Sequence, residues 1–312
     1  MCTSLTLQTT NHHMLLGRTM DFPVRAAWHP TIVNATTYPT ALAGRRPLNY
    51  PYIGGARHEG DHELLVADGV NTAGLICAEL MFPIKAHYQD HQVADKLNLT
   101  PQDFLPWVLG EHDSIQALKS DLNHIALIGK NWLAGNEVFA FHWILADKTG
   151  QTLIVEPTIN GLEVISDSIG VLTNSPTYSD HIKRFAQTLA VNSTSAAMSR
   201  KANQLVLTQR IPAATNTPTS RFLEAAIIKL GNADAPNQFA ARNRLFNTLN
   251  AVAIPYTPSM NNHPSFNYTH YISILDATNQ TYFFRYHDSN QVFSFSLTQL
   301  IKQYPRTNQF LA

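Results

Sequence analysis

Residues 2–22 constrain the fold more than any other stretch. Thr3 to Gln8 alternates polar and apolar side chains, Thr9 to His13 is turn-like, and Met14 to Thr19 is apolar again, the pattern of a β-hairpin ending near Asp21. A chain whose second residue already lies in a strand has its N-terminus held in a sheet. No basic cluster precedes an apolar core in this stretch, so it does not read as a signal peptide, and a cytoplasmic protein is expected.

Further strands are expected at Leu64 to Ala67 and Leu75 to Phe82 around the turn DGVNTAG, at Val138 to Leu145 and Leu153 to Glu156 around ADKTG, and at Tyr271 to Asp276, Thr281 to Tyr286 and Val292 to Phe295. Thr100-Pro101-Gln102-Asp103 starts a helix with a cap, a proline at its first position and an acid in its first turn, and Pro106 is expected to shorten it. Asp113 is expected to cap SIQALKSDL, and longer helices fit Asp180 to Leu189, Arg221 to Lys229 and Asn237 to Val252. Strands and helices come in blocks, which favours a layered α+β architecture over a doubly wound sheet. A single domain over residues 1–312 is expected, with an extended loop around residues 192–219.

Lys plus Arg equals Asp plus Glu at 22 each, so no basic field exists to hold nucleic acid. The longest apolar stretch, Leu64 to Phe82, is interrupted by Asp68, Asn71 and Glu79, so no membrane span is expected. Two cysteines, Cys2 and Cys77, make no disulfide framework and lack metal-ligand spacing, and Cys77 reads as core. The sequons at Asn34, Asn98, Asn192 and Asn267 are then incidental.

Cys2 is the most informative position. Its small side chain invites removal of Met1, which leaves a cysteine bearing a free α-amine. That amine titrates near pH 7.7 to 8.0 in model compounds, so it can take the thiol proton and return it to a leaving amine, while a cation such as Arg18 favours the reactive thiolate.

MCTSLTLQ followed by LLGRTMDF resembles the opening of the choloylglycine hydrolase family, which contains penicillin V acylases and conjugated bile acid hydrolases and belongs to the N-terminal nucleophile hydrolases. ADGVNTAGLICAEL looks like the family's strand-turn-strand segment, VLTNSPTY matches its asparagine motif, and TSRFLEAA resembles its arginine motif. The resemblance runs from residue 2 to beyond residue 221. It implies an αββα four-layer sandwich of two mostly antiparallel sheets between helices, a homotetramer, and no metal or organic cofactor. It also implies that Cys2 is the nucleophile, that Arg18 lies beside its sulfur and that Asp21 binds the α-amine. The side-chain amide of Asn174 and the backbone N–H of Met81 would form an oxyanion hole, and Arg221 would add positive charge. Phe22, Trp28, Tyr52 and Phe82 are candidates for an apolar substrate pocket.

The implied reaction is hydrolysis of a small-molecule, non-peptide linear amide. Penicillin V acylase-like activity is expected first, bile acid deconjugation second and N-acyl homoserine lactone cleavage third. Met81 stands where bile acid hydrolases usually carry Asn and penicillin V acylases often Tyr, and Glu79 stands where a small residue is expected. Two other classes are weighed against this reading. HEGDH at His58 to His62 matches the zinc motif H-E-x-x-H, but it contains Gly60-Asp61 and follows YIGGAR, which fits a loop rather than the helix the motif needs. His87 and His91 share the spacing without the internal Glu. A non-catalytic binding module would not need Cys2 and Asp21 together.

Overall fold

The N-terminal hairpin forms as expected. In the computed structural model, which describes residues 2–23, 26–59, 63–132, 137–257, 260 and 266–311, β1 (Cys2–Gln8) pairs antiparallel with β2 (Met14–Phe22), setting Cys2 opposite Met20 and Ser4 opposite Arg18. Paired residues share a face and faces alternate along a strand. Arg18 and Met20 therefore lie on the face that carries the Cys2 side chain, whereas Thr19 and Asp21 lie on the opposite face with Thr3. Nearly every residue of both strands is buried, so both faces of the hairpin are covered.

β1 and β2 sit inside a six-stranded sheet ordered Val171–Leu172, β1, β2, Tyr268–Asp276, Thr281–Tyr286, Phe293–Ser296. An eight-stranded sheet runs Gly161–Ile165, Thr152–Thr158, Phe141–Asp147, Leu75–Met81, Glu63–Asn71, Tyr52–Glu59, His29–Val33, Asn308–Phe310. All neighbours in both sheets are antiparallel. Helices α1 (Pro101–Glu111) and α2 (Ile115–Asp121) cover the outer face of the larger sheet, where Phe104, Leu105, Trp107 and Leu118 pack on Cys77, Trp143 and Leu145. Helices α3 (Tyr178–Leu189), α4 (Ser195–Leu207), α5 (Pro218–Gly231) and α6 (Gln238–Val252) cover the smaller sheet. There Phe185, Phe222, Leu245 and Leu249 join the core that also fills the space between the sheets. A short α7 (Leu297–Gln303) lies near the C-terminus. The result is the four-layer αββα sandwich. Gly17 lets α6 lie close on β2: a Cβ there would stand 2.8 Å from Cδ1 of Leu249, and that side chain would have to shift.

Four expectations are corrected. Pro106 does not shorten α1, which runs on to Glu111. The helix gives up one backbone bond at Pro106, and burial of Phe104, Leu105, Trp107, Val108 and Leu109 offsets that loss. Asp113 is not the cap of α2; Ser114 is, accepting from the Ala117 N–H at 3.2 Å. The expected extended loop around residues 192–219 holds α4, capped by Thr194 and anchored by Ala197, Met198 and Ala202 against α5. DGVN belongs to the strand Glu63–Asn71 rather than to a turn, which makes Asp68 a strand residue that reaches into the core.

Candidate active site

Cys2 is 2 % exposed, and the two faces of the hairpin bring it different partners. On the side-chain face, Nη2 of Arg18 stands 3.2 Å from Cys2 Sγ. Nη1 of Arg18 donates to the Ala67 carbonyl at 2.6 Å and lies 3.6 Å from Oδ2 of Asp68. Asp68 is itself held by Tyr282 at 2.8 Å, Tyr271 at 2.7 Å, Ser273 at 3.2 Å and the Gly55 N–H at 3.1 Å. Gly55 permits that approach, because a Cβ would meet the Tyr271 hydroxyl at 2.3 Å. Burial pushes both phenols well above their ordinary values, so they stay protonated donors. Burial alone would depress the Arg18 guanidinium, but Cys2, Tyr271, Asp68 and Glu79 raise it overall, and it stays a full cation.

On the other face, the backbone nitrogen of Cys2 donates to Oδ1 of Asn174 at 2.7 Å. Arg221, from the first turn of α5, donates to the Cys2 carbonyl and to the Thr3 hydroxyl at 2.6 Å each and to Asn174 Oδ1 at 2.9 Å. It also lies 3.8 Å from Oδ2 of Asp21. Burial lowers the pKa of Arg221, and Asp21 and Cys2 oppose that. Asp21 accepts from Thr269 at 2.6 Å and from Thr19 at 3.2 Å. Arg18 at the sulfur, Asn174 at the nitrogen and Arg221 at the carbonyl thus bring three segments distant from one another in sequence onto Cys2.

Asn174 is positioned from behind. Nε2 of His181 donates to its carbonyl at 2.8 Å, and His142 joins the Thr173 carbonyl at 2.7 Å to Glu156 at 2.9 Å. Burial pushes the His181 pKa down to about 4, so its ring is neutral at pH 7. Nδ2 of Asn174 donates to the Met81 carbonyl at 2.7 Å. An amide nitrogen carries two hydrogens, which leaves one for another acceptor. The Phe82 N–H bonds Ala140 across the sheet, so by antiparallel alternation the N–H and C=O of Met81 both turn to the opposite edge. The strand on that edge, Glu63–Asn71, pairs with Leu75–Met81 only as far as Ala78, so the edge is open beside Met81.

A narrow cleft of about 20 Å³ lies over Cys2, walled by Phe22, Trp28, Leu65, Met81, Phe139 and Phe141. Of the expected pocket aromatics, Phe22 and Trp28 line it. Tyr52 does not: it packs in the core under α1, because its strand position faces the outer helices. Phe82 does not either, being fully buried and stacked on His142 with centroids 4.3 Å apart. A larger cavity of about 900 Å³ beside Tyr256, Tyr268, Arg285 and His287 is lined by none of Cys2, Arg18, Asn174 or Arg221. Sequence reasoning missed Asp68, Tyr271, Tyr282, His142, Glu156 and His181; the buried polar character of HWI and VEP at 142–144 and 155–157 was the only local signal.

His58 and Glu59 end the strand Tyr52–Glu59 rather than lying in a loop, and neither is on the helix that the zinc motif needs; Gly60, Asp61 and His62 lie outside the described residues. Among the described residues no three His, Cys, Asp or Glu side chains are grouped to hold a metal ion. Among the described residues no helix is long and apolar enough to cross a membrane.

The sandwich, with Cys2, Arg18, Asn174 and Arg221 gathered at one end of its N-terminal hairpin, is the arrangement to set beside known proteins. Residues 2–302 match the linear amide C–N hydrolases, choloylglycine hydrolase family, and the chain belongs to that family and is a hydrolase of linear amide C–N bonds. It is 28% identical over 304 residues to a bile salt hydrolase/transferase of Lactiplantibacillus plantarum, covering 95% of this chain and 92% of the relative. It is 26% identical to a bile salt hydrolase/transferase of Clostridium perfringens, covering 94% and 91%. Among solved structures, the C2A mutant of the conjugated bile acid hydrolase from Clostridium perfringens matches with a TM-score of 0.80 at 24% identity, covering 96% and 93%. Penicillin V acylase from Agrobacterium tumefaciens matches at 0.75 and 19%, covering 96% and 87%.

Proposed function

We propose that the chain, after loss of Met1, hydrolyses a linear amide through Cys2. The contact of Arg18 Nη2 with Cys2 Sγ at 3.2 Å carries this reading, since it puts a buried cation on the atom that must bear negative charge. The thiol proton passes to the α-amine, Sγ bonds to the amide carbon, and the oxyanion takes the second N–H of Asn174 and the N–H of Met81. A donor of that kind is worth roughly 3 to 4 kcal/mol of barrier. The α-amine then protonates the leaving nitrogen, the C–N bond breaks, and water attacks the thioester to free the acid and the thiol. Asp21, Arg221 and Asn174 Oδ1 orient the amine and the residue that bears it.

The substrate order expected from sequence alone is reversed. The names of the relatives support conjugated bile acids as the first amide and aryloxyacetyl amides of the penicillin V type as the second. The second keeps one observation in its favour: the cleft over Cys2 is walled by the aromatic side chains of Phe22, Trp28, Phe139 and Phe141, against which an aryl ring can pack. Turnover of glycine- and taurine-conjugated bile acids, phenoxymethylpenicillin and acyl lactones, measured side by side, tests the order; a kcat/KM for phenoxymethylpenicillin above that for every bile acid would overturn it. A single domain, a homotetramer and a cytoplasmic setting complete the proposal, and light scattering on the purified protein tests the tetramer.

A further inference from the structure

Besides Arg18 and Asp21, which the hydrolysis reading uses, the cleft over Cys2 is lined by two charged side chains that it does not use. Glu79, on the strand Leu75–Met81, is 3 % exposed and lines the cleft; its buried Oε2 makes no hydrogen bond of good geometry, although the indole of Trp143, paired with it across the strands and also unsatisfied, pulls on its carboxyl. Arg57, on the strand Tyr52–Glu59, lines the same cleft with its guanidinium carbon 5.6 Å and 5.5 Å from the ring centroids of Phe22 and Trp28. Its Nη2 is 2.6 Å from Glu59, but its Nε is buried without a hydrogen-bond partner.

A buried donor or acceptor left unsatisfied costs about 1 to 3 kcal/mol, so Glu79 Oε2, Arg57 Nε and the Trp28 indole Nε1, all on this cleft, are a standing penalty that a suitable ligand reduces. Burial pushes the Glu79 carboxyl well above its usual value, against the lowering pull of Arg18 and Trp143, which favours the protonated form that both donates and accepts. Arg57 offers a donor only. A hydroxyl reaching between the two side chains would accept from Arg57 Nε–H and donate to Glu79.

We propose that Glu79 and Arg57 form the specificity point by which this cleft selects an acyl group bearing a hydroxyl. The inference rests on the Cys2 amidase reading. A hydroxyl of this kind comes either from a steroid acid or from a hydroxylated fatty acyl chain, and matched substrates separate the two. One series is glycine conjugates of a hydroxylated bile acid and of its deoxy counterpart; the other is N-(3-hydroxyacyl) and N-acyl amides of equal length.

Wild type is expected to prefer the hydroxylated member by about tenfold in kcat/KM in one series, the size of one hydrogen bond. Glu79→Gln keeps a donor and an acceptor and should retain most of that preference, whereas Glu79→Leu and Arg57→Met should erase it, mainly through KM. No preference in either series, or an equal loss on both members of a pair in Glu79→Leu and Arg57→Met alike, overturns the proposal. If wild type turns over none of these amides, the Cys2 reading is what has failed. Calorimetric binding of the hydroxy and deoxy acids to Cys2→Ala protein then decides the cleft by itself: tighter binding of the hydroxy acid supports the specificity point, and equal binding overturns it.

Discussion

Arg18 and Cys2 meet because they are diagonal neighbours on one face of the hairpin: Cys2 pairs with Met20, Ser4 pairs with Arg18, and the guanidinium spans one pleat to reach the sulfur at 3.2 Å. Asp68, 3.6 Å away and gripped by Tyr271 and Tyr282, holds the far side of that guanidinium. Removing the Asp68 charge leaves a buried cation without its carboxylate. Asp68→Asn should therefore cost about 3 kcal/mol or more in urea unfolding and slow alkylation of Cys2 by iodoacetamide. Unchanged stability together with unchanged alkylation would show that Asp68 does not hold Arg18.

The two cysteines should separate cleanly. Cys2→Ala should abolish turnover and Cys2→Ser should lose most of it, since a hydroxyl is a far poorer nucleophile at neutral pH. Cys77 is fully buried, and burial pushes its thiol well up, so it is inert. Cys77→Ala should keep kcat and lose about 1 to 2 kcal/mol of stability to the cavity left behind. A dead but folded Cys77→Ala would reverse the assignment.

Stability should fall on acidification between pH 6.5 and about 4, and His181 should account for part of the fall. Burial depresses the folded pKa of His181 to about 4, so in that window the unfolded chain binds a proton that the native chain does not, which favours unfolding as pH drops. His181→Gln should flatten the pH dependence of urea unfolding in this window and leave it alone above pH 7. A parallel profile for the variant would remove His181 from the account.

Metal chemistry is tested by chelation. Dialysis against a chelator and the substitution His58→Ala should leave turnover intact, because His58 packs on Phe310 with ring centroids 4.6 Å apart at the end of a strand. Loss restored by zinc would bring the metallohydrolase reading back.

Met81 should govern substrate choice more than rate, since its proposed contribution is a backbone N–H that substitution leaves in place. Met81→Asn should change kcat/KM for a small activated amide by no more than a few-fold, about 1 kcal/mol. The ratio between a conjugated bile acid and phenoxymethylpenicillin should move further. An equal loss on every substrate would place the side chain itself in the catalytic machinery.

The hairpin is legible because alternation and turn chemistry are local, and four short motifs in order single out Cys2, Arg18, Asp21, Asn174 and Arg221, which the structure gathers around one end of the hairpin. What remained hidden was long-range. Asp68 read as part of a turn because its partners, Tyr271 and Tyr282, lie more than two hundred residues away, as their contacts show. Tyr52 and Phe82 read as pocket aromatics because composition does not reveal which face of a strand meets the cleft. α4 was read as loop because its polar residues outnumber the three, Ala197, Met198 and Ala202, that dock it.

The central claim is that the working enzyme begins at Cys2, whose α-amine is the base. Intact-mass analysis of a fully active preparation, combined with trapping of the acyl-enzyme by acid quench, measures this directly. The account predicts a chain lighter by one methionine, with the acyl mass on its N-terminal peptide. Full turnover by a chain that uniformly keeps Met1, or an acyl group on any other peptide, would contradict it.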